Sequence, residues 1–419
     1  MKTQHILYIS YDGMTDPLGQ SQVLPYICGL SRQGYSFHLI SAEKADRFQK
    51  YRSDIEQICQ EAGIVWHPVT YHNRPPILGT LFDLFRIHNK GRDILKTHAI
   101  RMVHCRSYMP SFIGISLKHR FNIPFLFDMR GFWVNEKEDG KVWNLNNPVF
   151  NLVFRYMKKK EIAFFNEADT VISLTHKAIP EIRNILTKDH QDTPIEVIPC
   201  CVDTDFFNAG LVSDETIQHH KNDLGIRQDE FVISYLGSIS TWYLPEEMLK
   251  FFKILLTIKP NAKFLFITTE EPEFILKLAD ECEVPRERIV ITAATRKEVR
   301  EKLLLSQASV FFIKPAYSKM ASSPTKLGEL LSLGIPVICN AGIGDTDEII
   351  RQAEAGIICH QFDDISYLET AKKLLEATTL NDKARLRNVA EDIFSLKKGV
   401  ASYAKVYSKL LRNDDRVHS

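Results

Sequence analysis

Thirteen apolar runs of five to seven residues recur along this 419-residue chain, separated by longer stretches with helical periodicity. The first seven are 5–10 (HILYIS), 37–42 (FHLISA), 64–69 (IVWHPV), 102–107, 125–129, 170–174 and 195–199. Short runs rich in Val, Ile and Phe that alternate with amphipathic helices read as parallel strands in βαβ units. The pattern then restarts at 231–237 (FVISYLG) and continues through 263–268, 289–294, 310–314, 336–340 and 356–361. Two such series predict an α/β protein of two Rossmann-like, doubly wound domains, in keeping with about 100–200 residues per domain. The seam falls in the polar turn CCVDTDF, so the expected domains are 1–203 and 204–395. A last helix, 396–415, carries an apolar stripe of Val400, Tyr403, Ala404, Val406, Tyr407, Leu410 and Leu411, which fits either domain.

In such sheets ligands bind outside the carboxyl ends of the strands. The loops that carry chemistry are therefore 11–20, 106–111, 128–140, 237–245, 293–296, 315–324 and 341–345, and two domains face to face would line a common cleft with them. The stretch 321–345 (ASSPTKLGELLSLGIPVICNAGIGD) is the most informative. Ser323 and Pro324 read as the N-cap and first residue of a short helix. Leu327, Leu330, Leu331 and Leu333 form its apolar face, and Gly334 and Pro336 end it. Lys326 breaks the local rules, because the helix dipole disfavours a cation in the first turn. A Lys there is explained by an anion held on the helix N-terminus. Glu329, one turn on, is placed to accept hydrogen bonds from a diol. Phosphate beside a diol describes a nucleotide. The alternative is an ordinary capped helix with a surface Lys and Glu.

Net charge is +1, which excludes a global nucleic-acid signature, yet residues 1–200 hold 25 Lys+Arg against 20 Asp+Glu. The eight cysteines form no CxxC pair and read as reduced thiols, implying a cytoplasmic setting. The opening MKTQHILYIS is too short and polar for a signal peptide, and no run approaches the roughly 18 apolar residues of a membrane span. No metal-ligand spacing, G-x-S-x-G elbow or phosphate-loop Gly-Lys-Ser/Thr run is present, so no metal or other cofactor is expected.

Three segments, VISLTHKAIPEI (171–182), IEVIPCCVDTDFF (195–207) and PTKLGELLSLGIPVI (324–338), in this order and spacing, resemble those of the retaining family-four glycosyltransferases (glycosyl transferases group 1) of GT-B fold. The resemblance covers nearly the whole chain. It implies that the last helix crosses back onto the N-terminal, acceptor-side domain and that the C-terminal domain binds a nucleotide-sugar donor. It implies metal-independent transfer of a sugar, with retention, to a glycan or lipid-linked acceptor in surface polysaccharide or glycoconjugate synthesis. Glu329 matches the second Glu of the family's Glu–seven residues–Glu motif and is implied to hold the donor ribose. The position of the first Glu is Ala321, and the loop 238–245 (SISTWYLP) lacks the family's usual cations. These departures leave room for a CMP-sugar donor or for a non-catalytic binding partner, and another GT-B activity, such as a nucleotide-sugar epimerase, is the rival enzyme reading. The residues expected at the nucleotide are Gly19, Gly237, Ser238, Ser322, Ser323, Thr325, Lys326 and Glu329, with Lys314 and Lys319 as helpers.

Asp128 and Arg130 directly follow a strand, where a carboxylate and a guanidinium can act as base and anion clamp on an acceptor. With Glu329 they form the expected catalytic set. A loop-fixing salt bridge is the other reading. Asp12 and Asp16 flank Gly13 in the first loop. The helices at 81–101 and 150–165 mix aromatic and basic residues, which fits peripheral contact with an anionic membrane face, or a packed helix with a solvated basic side.

Overall fold

The computed structural model describes residues 4–417 except 73, 240 and 378–381, so Ser240 of the loop 238–245 lies outside the described residues. One compact unit comprises Met1–Cys200 with Leu396–Ser419, and the other Cys201–Ser395.

The first unit holds seven strands: β1 (Gln4–Ser10), β2 (Tyr35–Glu43), β3 (Val65–Thr70), β4 (Ile100–Arg106), β5 (Phe125–Asp128), β6 (Thr170–Ser173) and β7 (Ile195–Val197). They pair in the order β3-β2-β1-β4-β5-β6-β7, every pair parallel. Ile6, Leu7 and Ile9 of β1 and Phe125, Leu126 and Phe127 of β5 are fully buried, because helices cover both faces of a parallel sheet. The helix Leu396–Val417 packs on the helix Leu24–Ser31 and on β4 of this unit. Its apolar stripe is the one visible in the sequence, with Tyr403 and Tyr407 edge-on to Tyr26 and Tyr35. The approach is close enough that a Cβ on Gly29 would come within 2.6 Å of Val400.

The second unit holds β8 (Phe231–Leu236), β9 (Ala262–Ile267), β10 (Ile289–Thr292), β11 (Ala308–Phe311), β12 (Val337–Asn340) and β13 (Gly356–Cys359), in the order β10-β9-β8-β11-β12-β13 and again all parallel. Both sheets reverse strand order once, at β1/β4 and at β8/β11. Those switch points are where an open α/β sheet offers a crevice.

Two local expectations are corrected. The first loop ends at Asp16, and two helices follow, Pro17–Gln22 and Leu24–Ser31, broken at Val23. Pro25 has no N–H for the Ser21 carbonyl, and its ring crowds that turn. Gly19 thus lies inside a helix, where a Cβ would meet the Gly13 carbonyl at 2.2 Å. In the second unit Pro324, not Ser323, takes the N-cap of the helix Thr325–Ser332.

A histidine cluster lies across β1–β3. The rings of His38 and His67 stack, with Nδ1 and Nε2 3.2 Å apart, while His98 and His5 lie 4.2 and 6.1 Å from His38. Burial, then the neighbouring histidines, pushes His38 down to about 4, and burial with Lys90 and His98 does the same to His67. An unfolded histidine titrates near 6.5, so between about 4 and 6.5 the unfolded chain binds more protons. Stability from this cluster is complete above about pH 6.5 and falls toward pH 4. After discounting for partial exposure we expect a loss of about 1–3 kcal/mol in all. His38→Phe should flatten that slope in denaturant melts of the full chain, and an unchanged slope would refute it.

Candidate functional site

The helix Thr325–Ser332 begins at the carboxyl end of the second sheet and has no side-chain cap on its N-terminus. Leu327 N–H already donates to the Pro324 carbonyl, which leaves the N–H groups of Thr325 and Lys326 at the positive end of the dipole. Lys326 is only 8% exposed. Its ammonium lies 3.7 Å from the Tyr243 ring centroid, 4.4 Å from Tyr235 and 5.7 Å from Phe311. Among the described residues Nζ has no hydrogen-bond partner. Burial pulls this amine down to about 7, with Glu329 opposing the shift. Three π-faces thus hold a desolvated ammonium that no carboxylate neutralises by contact. A Cβ on Gly237 would come 3.4 Å from Lys326 Nζ, and Gly237 itself sits at φ +118°. The glycine after β8 therefore leaves the approach to the ammonium open, at a backbone angle other residues adopt only with strain.

Glu329 is partly exposed. Burial of its carboxyl pushes it up to about 7, against the pull of Lys326 and Arg296. Arg296, at the start of the helix Arg296–Leu303, is exposed and also lies over Phe206. It sits in the 293–296 loop that the sequence singled out, although no role was expected of it. Ser322, Ser323 and Thr325 are partly exposed just ahead of Lys326, and Ser238 is exposed beyond Gly237. The structure thus brings Gly237 and Lys326 into near contact, with Glu329 one helical turn on. The Ser238 carbonyl accepts from the Tyr235 hydroxyl at 2.8 Å.

The loop after β8 supplies aromatic rings where cations were looked for. Tyr243 bridges Ile313, Lys314 N–H donates to the Trp242 carbonyl, and Leu244 N–H donates to Phe312, so the loop runs along the chain leaving β11. Trp242 is thereby set 3.6 Å from the Lys319 ammonium. Asn340 ties the loop after β12 to β11, its amide bonding both the N–H and the carbonyl of Ile313. Ala321, where the resemblance expects an acid, is fully buried in the turn Tyr317–Ala321.

The first unit gathers a second cluster at its own switch point. Asp12 follows β1, Arg106 ends β4 and Asp128 ends β5, with Arg106 paired to Asp128 in register. Asp128 is 1% exposed. Its Oδ2 accepts from Tyr403 at 2.8 Å and lies 3.5 Å from His104 Nε2 and 4.0 Å from Arg106, and its Oδ1 is 3.8 Å from Arg130. Burial alone would raise this carboxyl, but Arg130, His104 and Arg106 outweigh it and hold it near 2. Arg130, at φ +57°, donates to Cys200 Sγ at 3.1 Å. Asp128 and Arg130 are brought together as expected, but they face the C-terminal helix and Cys200. The carboxylate of this cluster that reaches solvent is Asp12, 41% exposed and 3.3 Å from Arg106. Asp16 turns away to Lys44 and Arg47. Gly19 belongs to this unit and serves packing against Gly13. Tyr403 was visible only as one of the apolar stripe of the last helix, because nothing local marks a hydroxyl that meets Asp128 across 275 positions, and His104 belonged to no recognisable pattern. Among the described residues no group of three or more His, Cys, Asp or Glu is placed to hold a metal.

Residues 216–392 match the family model described as glycosyl transferases group 1, and residues 22–206 match glycosyltransferase family 4. No curated protein matches the chain by sequence. Among solved structures it is similar to a glycosyltransferase from Rickettsia africae, at 14% identity and TM-score 0.71, over 99% of this chain and 100% of the other. It is likewise similar to sucrose-phosphate synthase from Thermosynechococcus elongatus, at 14% identity and TM-score 0.71, over 98% and 100%. A third, HepE from Anabaena in complex with UDP and glucose, aligns at 12% identity and TM-score 0.67, over 96% and 99%. Those likenesses concern the fold, while the two family matches cover most of both units, and the chain is a glycosyltransferase of the GT-B fold.

Proposed function

We propose that this enzyme transfers a sugar, with retention, from a nucleoside-diphosphate donor to a glycan or lipid-linked acceptor at the cytoplasmic face of a membrane, in surface glycoconjugate synthesis. The observation that carries the donor assignment is the buried ammonium of Lys326, without a hydrogen-bond partner among the described residues, beside the uncapped N-terminus of its helix and Gly237. Such a group lowers the energy of an anion that gains charge as it leaves. As the bond from the anomeric carbon to the phosphate oxygen breaks, the acceptor hydroxyl oxygen bonds to that carbon from the same face. The hydroxyl proton passes to the departing phosphate. Lys326, with Ser322, Ser323 and Thr325, neutralises the phosphate, and Glu329 accepts from the ribose hydroxyls. The UDP held by HepE exemplifies this donor class.

On the first unit Asp12 and Arg106 would meet the acceptor. Asp128 and Arg130 would act through them, as positioning residues. Calorimetry with UDP, GDP and CMP, followed by nucleotide-release assays with the matching sugars, tests the reading. Glu329→Ala should weaken binding of the preferred nucleotide about tenfold, the worth of one charge-assisted hydrogen bond. Tighter CMP than UDP or GDP would replace the diphosphate donor by a monophosphate one, and turnover without acceptor would mark an epimerase or hydrolase. No nucleotide binding at all would refute the donor site.

A further inference from the structure

We infer that two exposed apolar helix faces on the first unit seat the enzyme on an anionic lipid bilayer, an inference that rests on the lipid-linked acceptor proposed above. On the helix Pro76–Thr97, Ile77, Leu78, Leu81, Phe82 and Phe85 are each half exposed or more, up to 65% for Leu78. Their spacing puts them on one stripe, opposite the buried Asp83, Ile87 and Ile94. On the helix Pro148–Glu167, Val149, Leu152 and Tyr156 form a second stripe, 58%, 70% and 52% exposed. Soluble chains seldom leave contiguous apolar patches of this kind uncovered unless they bind something.

Topology sets both patches at the same edge. The first helix leaves the carboxyl end of β3, and the second runs down to the amino end of β6, so both helix N-termini stand at the carboxyl edge of the sheet. The helix Tyr108–Phe121 packs between them. All eight apolar residues lie in the first three turns, at the edge that also carries Asp12 and Arg106. A bilayer touching these stripes would bring its lipid headgroups to that edge.

Charge selects the occupant. Residues 141–161 contain Lys141, Arg155, Lys158, Lys159 and Lys160, of which Lys158 is held by the buried Glu161, and residues 74–93 contain Arg74, Arg86, Lys90 and Arg92 against the buried Asp83 and against Asp93 beside Arg92, so both helices keep a basic excess. Arg86 lies over Phe82 and Lys160 over Tyr156, so the cations flank the apolar stripes. Apolar side chains ringed by Lys and Arg match the acyl boundary and anionic headgroups of a membrane surface. No helix among the described residues is long and apolar enough to cross the bilayer.

The test is sedimentation of the full-length protein with vesicles of phosphatidylcholine, alone or mixed with phosphatidylglycerol. Binding should be at least about tenfold stronger to the mixed vesicles and weaken with salt, as several cations each add to the attraction. Leu78→Glu with Phe85→Glu, and separately Val149→Glu with Leu152→Glu, should each lower it about tenfold. Nucleotide binding and thermal melting should not move, because all four side chains are exposed. Vesicle binding that ignores these changes, or a dimer in analytical ultracentrifugation that they abolish, overturns the inference. Absent nucleotide binding with intact vesicle binding would instead refute the donor reading and leave the surface standing.

Discussion

Lys326→Met is expected to lower transfer by about 10²–10³-fold while raising the melting temperature of the second unit. The first half follows from the loss of one preorganised cation at a leaving group, worth about that factor where such donors have been removed. The second half follows from burial. An ammonium with no hydrogen-bond partner costs the fold desolvation energy that the rings of Tyr235, Tyr243 and Phe311 offset only in part. Methionine fills similar volume without charge, so a gain of about 1–3 kcal/mol is expected. A stability loss would show that the ammonium is satisfied in the free enzyme. Burial pulls the Lys326 amine down to about 7, with Glu329 opposing the shift. A bound phosphate favours the charged form, so above pH 7 nucleotide binding should take up a proton and weaken as pH rises. Calorimetry in buffers of different ionisation enthalpy reads this directly.

Asp128→Asn is expected to destabilise the first unit by about 3–5 kcal/mol, the usual cost of removing one partner from a buried charge cluster. Among the described residues Asp128 is the one acid within 4.0 Å of Tyr403, His104, Arg106 and Arg130 together, and its substitution leaves two buried guanidiniums short of negative charge. The helix Leu396–Val417 should lose hydrogen-exchange protection first, since Tyr403 ties it to this carboxylate. Tyr403→Phe should show a milder form, about 1–2 kcal/mol, through one lost hydrogen bond. If Asp128→Asn keeps full protection but loses turnover, Asp128 is a catalytic base and not a pin.

Most of the strands were legible because burial on both faces of a parallel sheet writes itself into a short run as near-continuous Val, Ile, Leu and Phe, whereas the edge strands β3 (VWHPVT) and β7 (IEV) are only partly covered and were legible from their place in the alternation. The placement of Lys326 in the first turn of the helix Thr325–Ser332 was legible too, and a Lys after Pro324 is locally unfavourable, which is what drew attention to this helix. The break at Val23 was also readable in principle from Pro25. What the rings around Lys326 do was not readable. The segment WYLP lacks cations, and only its pairing with the chain after β11 sets Tyr243 and Trp242 over two lysines.

The strand series, the two-unit division and the helix that starts at Thr325 with a Lys in its first turn are properties of local pattern, and local pattern is present in the order of residues. The surroundings of Asp128 are of another kind. Its neighbours come from β4, from the turn that bears Arg130 and from a helix that begins at Leu396, and each contact depends on parallel register and on which face that last helix covers. Amphipathic spacing states that a face must be buried but not against what. The tertiary packing decided that choice, and with it which carboxylate of the first unit lies closed in the core and which reaches solvent.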